Sequence, residues 1–261
     1  MEQKKLNITE IAKLANVSKA TVSRVINGKP NVQDKTREKI KRIIDEYDYH
    51  PSVFAKAIMH KRSNTIGVLI PKRTEIVYPN PFYDEIFRGI STETIKRGYF
   101  VLYCYEEYDN YLRALKEKRV DGIIAMSPSY QDKEVLDKIK ELDIPFIATS
   151  RVESLDDIVH VDVDNYLGAK LAVEHLISLG HRKIGFINGP PELLSSNERL
   201  RGYRAALQEN SISYSELMVR SGNSITTGRG AMESLLNTQD ITAVFVASDY
   251  MALGVMSSIF G

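Results

Sequence analysis

The stretch NVSKATVSRVING, Asn16 to Gly28, sets Lys19, Ala20 and, one turn later, Arg24 among Val22, Val25 and Ile26. A guanidinium can bond a guanine bidentately, and an ammonium can reach a base or a phosphate. Ser18, Thr21 and Ser23 are short hydroxyls suited to phosphate oxygens, which position a helix without reading sequence. Asn27 follows on the same segment as a further candidate for DNA contact. A solvated amphipathic helix has the same outline, so the flanking elements decide what the charges face.

Those elements are compact. Ile8, Ile11, Ala12 and Ala15 recur at helical spacing, with Asn7 or Thr9 available as a cap. The tight link Ala15-Asn16-Val17-Ser18 leads to a second helix over 19–26. Asn27-Gly28 then supplies a left-handed stop, and Pro30 bars continuation. A third amphipathic helix is predicted over 34–47 on Ile40, Ile43, Ile44 and Tyr47. Two helices joined so tightly form a helix-turn-helix, whose second helix enters the major groove by its N-terminal residues.

Charge agrees with that placement. Residues 1–62 carry 14 Lys/Arg against 7 Asp/Glu, a balance of +7, and the remainder carries 21 against 27, a balance of −6. A basic head on an acidic body points to a polyanionic partner for the head alone. The length of 261 residues suggests two domains, and 43% hydrophobic with 26% charged residues is ordinary for a globular chain. No apolar run approaches the roughly 20 residues of a membrane span, and the polar start MEQKKLNITE does not resemble a secretory signal. The single cysteine, Cys104, forms no internal disulfide, and five scattered histidines have no metal-ligand spacing. G-x-S-x-G, P-loop and post-strand G-x-G-x-x-G motifs are missing, so no catalytic residue, cofactor or metal is expected and an enzyme is disfavoured.

NITEIAKLANVSKATVSRVINGKPNV, then TREKI and YHPSVFAKAI, closely resemble the LacI/GalR family of bacterial transcription regulators. The resemblance covers essentially the whole chain. It implies that Lys19 and Ala20 help choose the operator and that Arg24 contacts bases. It also implies that 51–64 holds a hinge helix that folds when a dimer binds DNA. There Ile58 stands in place of the usual Leu wedge for the minor groove, and Lys56 where many members carry Arg. Such wedges unstack a base step, a cost of a few kcal/mol offset by added contacts.

From Thr65 onward strands and helices alternate. TIGVLIP, FVLYCY, DGIIAM and PFIATS read as strands separated by helices over 81–99, 108–119 and 132–142. A second series begins near Val159–Asp162. It continues with a helix over 165–180, the strand KIGFING, helices near 198–209 and 227–236, the strand AVFVAS and a helix over 249–260. Such βα alternation implies parallel doubly wound sheets. The expected whole is an all-α helix-turn-helix head on a two-lobed α/β body of periplasmic-binding-protein type. Its parts are 1–50, a hinge and linker over 51–64, a first lobe over 65–160 and a second over 161–261.

Ligands of such sheets bind at the carboxyl ends of strands. That rule and the resemblance together nominate Phe82 and Tyr83, Ser150 and Arg151, Arg199, and Asp249 for a small-molecule effector. Phe82 and Tyr83 offer flat faces to a sugar ring or base, or cap the helix start. Arg199 and Asp249 bind effector, or serve as a helix cap or a lobe-closing ion pair. His181 and Arg182 precede a strand, away from the cleft, and belong to the scaffold. The resemblance further implies that the second lobe lacks its last strands, in a fragment or a naturally shortened gene.

The function implied is a cytoplasmic repressor of carbohydrate-utilisation genes. It binds a palindromic double-stranded operator as a homodimer, or a tetramer, and answers a sugar or sugar phosphate, with no membrane partner. A sugar-binding protein sharing the body fold is the alternative. It would need a secretion signal and has no use for a basic helix-turn-helix.

Overall fold

The computed structural model describes residues 6–49, 62–70, 80–105, 108–129, 132–152 and 158–260. The chain divides into two compact units, Met1–Ser63 and Asn64–Gly261.

In the first unit α1 (Ile8–Ala15), α2 (Lys19–Ile26) and α3 (Asp34–Glu46) enclose Ile11, Ala12, Ala15, Val22, Val25 and Ile40. Helix α3 stops one residue short of the expected end, because Tyr47 is its C-cap and Asp48 turns into the left-handed region at φ 46°. The caps are spelled out locally. Asn7 accepts from the N–H groups of Thr9 and Glu10, and Glu10 returns a carboxylate to the Asn7 N–H at 2.8 Å.

The second unit holds two parallel sheets. Strands β1 (Thr65–Leu69), β2 (Phe100–Cys104), β3 (Gly122–Ala125) and β4 (Phe146–Ala148) lie in the order β2-β1-β3-β4. Period-2 alternation sends Val68 to one face and Leu69 to the other. Val68 packs with Ile70, Tyr83 and Met126 beneath α4 (Pro81–Lys96). Leu69 packs with Tyr111 and Leu115 of α5 (Tyr108–Lys116) and with Val135, Leu136 and Ile139 of α6 (Lys133–Glu141). Both faces are covered, as a doubly wound sheet requires.

The second lobe repeats the scheme with β5 (Ile184–Asn188), β6 (Val219–Ser221) and β7 (Ala243–Val246) in the order β6-β5-β7. Phe186 faces α7 (Asn165–Ser178) and α8 (Leu194–Glu209), stacked between Tyr203 and Phe245. Ile187 faces α9 (Ile225–Thr238) and α10 (Asp249–Phe260). Among the described residues no helix is long and apolar enough to cross a membrane, and no cluster of His, Cys, Asp or Glu could hold a metal ion.

Two sequence expectations need correction. Residues 159–162 do not open the second lobe as a strand. They form one bridge, His160 beside Ala148 of β4, so this crossover pairs with the first lobe's sheet. Val159, Val161 and Val163 stay exposed at 67%, 68% and 72%. Helix α8 begins at Leu194, a turn before the expected Glu198, and its N-cap Leu193 makes no side-chain cap.

Helices α7 and α8 meet backbone to backbone at Gly202, where an added Cβ would overlap the Tyr166 carbonyl oxygen and touch Ala169 Cβ at 3.1 Å. Gly202→Ala is therefore expected to destabilise the body by about 1–3 kcal/mol, read from the urea midpoint. Gly230→Ala is the control: it sits in α9 with nothing within 4 Å of an added Cβ, and should stabilise by about 0.5–1 kcal/mol. Equal midpoints for the two variants would contradict the close-approach argument.

Candidate DNA-reading face and inter-lobe cleft

The turn between α1 and α2 depends on Asn16, which adopts φ 56° and ψ 50°. Asparagine tolerates this left-handed conformation better than most residues. Its N–H donates to the Lys13 carbonyl at 3.1 Å and the Val17 N–H to that of Ala12 at 3.0 Å, closing α1. From α3, Lys39 places its ammonium 3.0 Å from the Ala15 carbonyl, a cation at the negative end of α1.

Ser18 then starts α2: its Oγ accepts from the Thr21 N–H at 3.1 Å and lies 2.9 Å from Thr21 Oγ1. That second contact uses one of the two hydroxyl protons, so the pair can give a phosphate one proton rather than two. Val22 and Val25 face inward, while Lys19, Ala20 and Arg24 are exposed. Among the described residues neither Lys19 nor Arg24 is tied into a hydrogen bond or ion pair. Ser23 and Asn27 are partly buried, and Asn27 donates to the Ser23 carbonyl at 2.9 Å and to its hydroxyl at 3.3 Å. The result is an open cationic face on a short, firmly capped helix. Lys56 and Ile58 lie outside the described residues.

In the body, the residues nominated for the cleft separate into distinct environments. Asn80 caps α4, accepting from the Phe82 N–H at 3.1 Å, and Pro81 occupies the first turn. Phe82 is 61% exposed, whereas Tyr83 is buried against Val68, Ile70 and Met126, with the two rings edge to face at 5.3 Å. Only Phe82 thus offers a free apolar face. Ser150 is partly buried beyond β4. Asp249 is exposed in the first turn of α10, just past the carboxyl end of β7.

Arg151 and Arg199 are brought together through groups that the sequence reading missed. The Arg151 N–H donates to Asp162 Oδ2 at 3.0 Å, and its guanidinium lies 3.7 Å from Glu198 Oε1 on α8. Asn165, at the start of α7, donates from Nδ2 to Asp162 Oδ1 at 3.1 Å. Arg199 donates from Nε to Asn165 Oδ1 at 3.0 Å and from Nη1 to the Ala247 carbonyl, at the end of β7, at 3.0 Å. Burial pushes the Arg199 guanidinium below its ordinary pKa, opposed by the nearby Asp162 carboxylate. Asp162, Asn165 and Glu198 belong to no motif, and their role shows only once 34 residues of chain bring Asn165 to Arg199.

His181 and Arg182 behave as scaffold: His181 Nδ1 lies 3.0 Å from Thr242 Oγ1, and Arg182 donates to the Ile177 carbonyl at 2.9 Å.

Comparison with known proteins covers both units. The family described as bacterial regulatory proteins, lacI family, matches residues 7–52. That described as periplasmic binding proteins and sugar binding domain of LacI family matches residues 63–259. The HTH-type transcriptional regulator CelR of Thermobifida fusca is 34% identical over 94% of this chain and 74% of its own. Catabolite control protein A of Priestia megaterium is 33% identical over 96% of this chain and 77% of its own. Among solved structures, the lac repressor dimer bound to operator and the anti-inducer ONPF superposes with TM-score 0.79 at 28% identity, covering 98% of this chain and 78% of that one. A CelR–cellobiose complex superposes with TM-score 0.71 at 31% identity, with the same coverage. This chain thus spans about three quarters of these relatives' length.

The capping geometry makes a local prediction. Ser18→Ala removes the acceptor for the Thr21 N–H and should cost the head about 1 kcal/mol. Asn16→Val, which forces a β-branched residue to positive φ, should cost about 1–2 kcal/mol, and Asn16→Gly should be nearly neutral. Hydrogen exchange at the amides of α1 and α2 reads all three. Protection unchanged in Asn16→Val would remove the left-handed turn from the account.

Proposed function

We propose that this chain, which belongs to the LacI family of bacterial regulatory proteins, reads its operator with Lys19, Ala20 and Arg24 and answers a small molecule held between the lobes of its body. The chain is a DNA-binding transcription regulator and not an enzyme. In this reading it is a cytoplasmic repressor of carbohydrate-utilisation genes that sets two heads on a palindromic operator as a homodimer. Ser18, Thr21, Ser23 and Asn27 seat α2 on the backbone, while Lys56 and Ile58 serve the minor groove. Phe82, Ser150, Arg151, Arg199 and Asp249 border the effector site, with Tyr83 behind them. Parts 1–50, 51–64, 65–160 and 161–261 divide this work.

One observation carries the reading: α2 presents Lys19, Ala20 and Arg24 outward on a helix whose start is fixed by Ser18 and whose opposite face is packed. A carbohydrate effector is supported by the CelR–cellobiose complex. Response requires that the effector bind two lobe arrangements with different affinity.

Arg24→Ala should cost about 1–3 kcal/mol on the preferred site and relax specificity there, measured by competition of the preferred site against random duplex. Equal loss on both would reassign Arg24 to phosphate contact. Affinity should also fall steeply with salt, log K against log salt having a slope of about −0.9 per phosphate contacted. A flat dependence would remove the basic head from the binding account.

A further inference from the structure

The geometry points to Asp162 and Asn165 as positioning residues that form a relay from the rim of the first lobe to the guanidinium of Arg199. Four links carry it. The Arg151 main-chain N–H, just beyond β4, donates to Asp162 Oδ2 at 3.0 Å. Asp162 Oδ1 accepts from Asn165 Nδ2 at 3.1 Å. Asn165 Oδ1 accepts from Arg199 Nε at 3.0 Å, and Arg199 Nη1 closes the line on the Ala247 carbonyl at 3.0 Å.

Each polar atom is committed for a physical reason. Asn165 is only 4% exposed, so its amide must find partners inside the protein. Its Nδ2 also donates to the Val163 carbonyl at 3.1 Å, which fixes the amide orientation and turns Oδ1 toward Arg199. Asp162 accepts from the Val163 N–H as well, at 2.8 Å, so its carboxylate is held by main chain on both sides. Its charge is the principal one that favours the Arg199 cation against burial. The relay runs along the crossover between the lobes. A shift of the first lobe that moves the Arg151 main chain therefore moves the acceptor that aims Arg199.

The functional meaning rests on the cleft reading of Arg199, but the readout for the relay itself uses no effector, so the two can fail separately. Reaction of phenylglyoxal with Arg199 is followed by peptide mass spectrometry, relative to the exposed Arg24 of the same molecule. The reagent attacks the neutral guanidine, so its rate reports both access and charge stabilisation. Asn165→Ala and Asp162→Asn should each raise the Arg199-to-Arg24 ratio several-fold with little change in melting temperature. An unchanged ratio in both of the first two variants overturns the relay. A rise shared by every arginine, with a collapsed melting temperature, equally overturns a positioning role. Should Arg199→Ala leave cellobiose binding intact while the ratios behave as stated, the cleft reading fails and the relay stands.

Discussion

A guanidinium drawn out of water needs acceptors already in place, because burial disfavours its charge and an unpaired donor there is costly. Arg199 meets that requirement with partners from separate elements: the Asn165 amide at the start of α7, the Ala247 carbonyl at the end of β7, and the charge of Asp162 on the crossover. The side chain itself belongs to α8. One cation thus fixes how a helix, a strand end and the inter-lobe connection meet.

That convergence is possible only because the helices come close. Gly202 lies three residues after Arg199 on α8, where any side chain would overlap the Tyr166 carbonyl. A wider α7–α8 spacing would carry Arg199 Nε out of reach of Asn165. The same device recurs across the lobe. A Cβ on Gly254 of α10 would overlap the Ile225 carbonyl of α9, and one on Gly228 would stand 2.6 Å from the Met251 carbonyl. Helix α10 carries Asp249, so Arg199 and Asp249, both proposed for the effector site, ride on helices spaced by glycine. Core packing and site geometry are here one constraint.

The head was the more legible unit because its rules are local. Asn7 with Glu10 and Ser18 with Thr21 write their caps within three residues, and the predicted bounds of α2 coincide with the observed ones. The parallel sheets were legible for the same kind of reason: runs such as TIGVL and IGFIN are apolar on both faces. What failed depends on distance. Strand β6, Val219–Ser221, is three residues long with two of them polar, too short to show a period. Val159, Val161 and Val163 alternate as a strand should, yet among the described residues the bridge of His160 to Ala148 is all the pairing this segment receives. Tyr83 read as an effector face or a cap and packs instead into the first lobe's core. No pattern within VDVDN distinguishes Asp162 and Asn165 from solvated polar residues.

The two units solve different physical problems, which explains the uneven charge. A surface that binds a polyanion must keep its cations unpaired, and among the described residues Lys19 and Arg24 are left so beside a core of small and branched side chains. The body shows the opposite arrangement: cations oriented by carboxylates and amides, as Arg151 is by Asp162 and Glu198 and Arg199 by Asn165, the preorganisation that a binding site requires. Free charge in the head provides attraction that operates at a distance and weakens with salt, whereas held charge in the body provides geometry. A regulator has to separate the two, because a cleft of unpaired arginines would itself compete for phosphate. The +7 head on a −6 body is the compositional trace of that division.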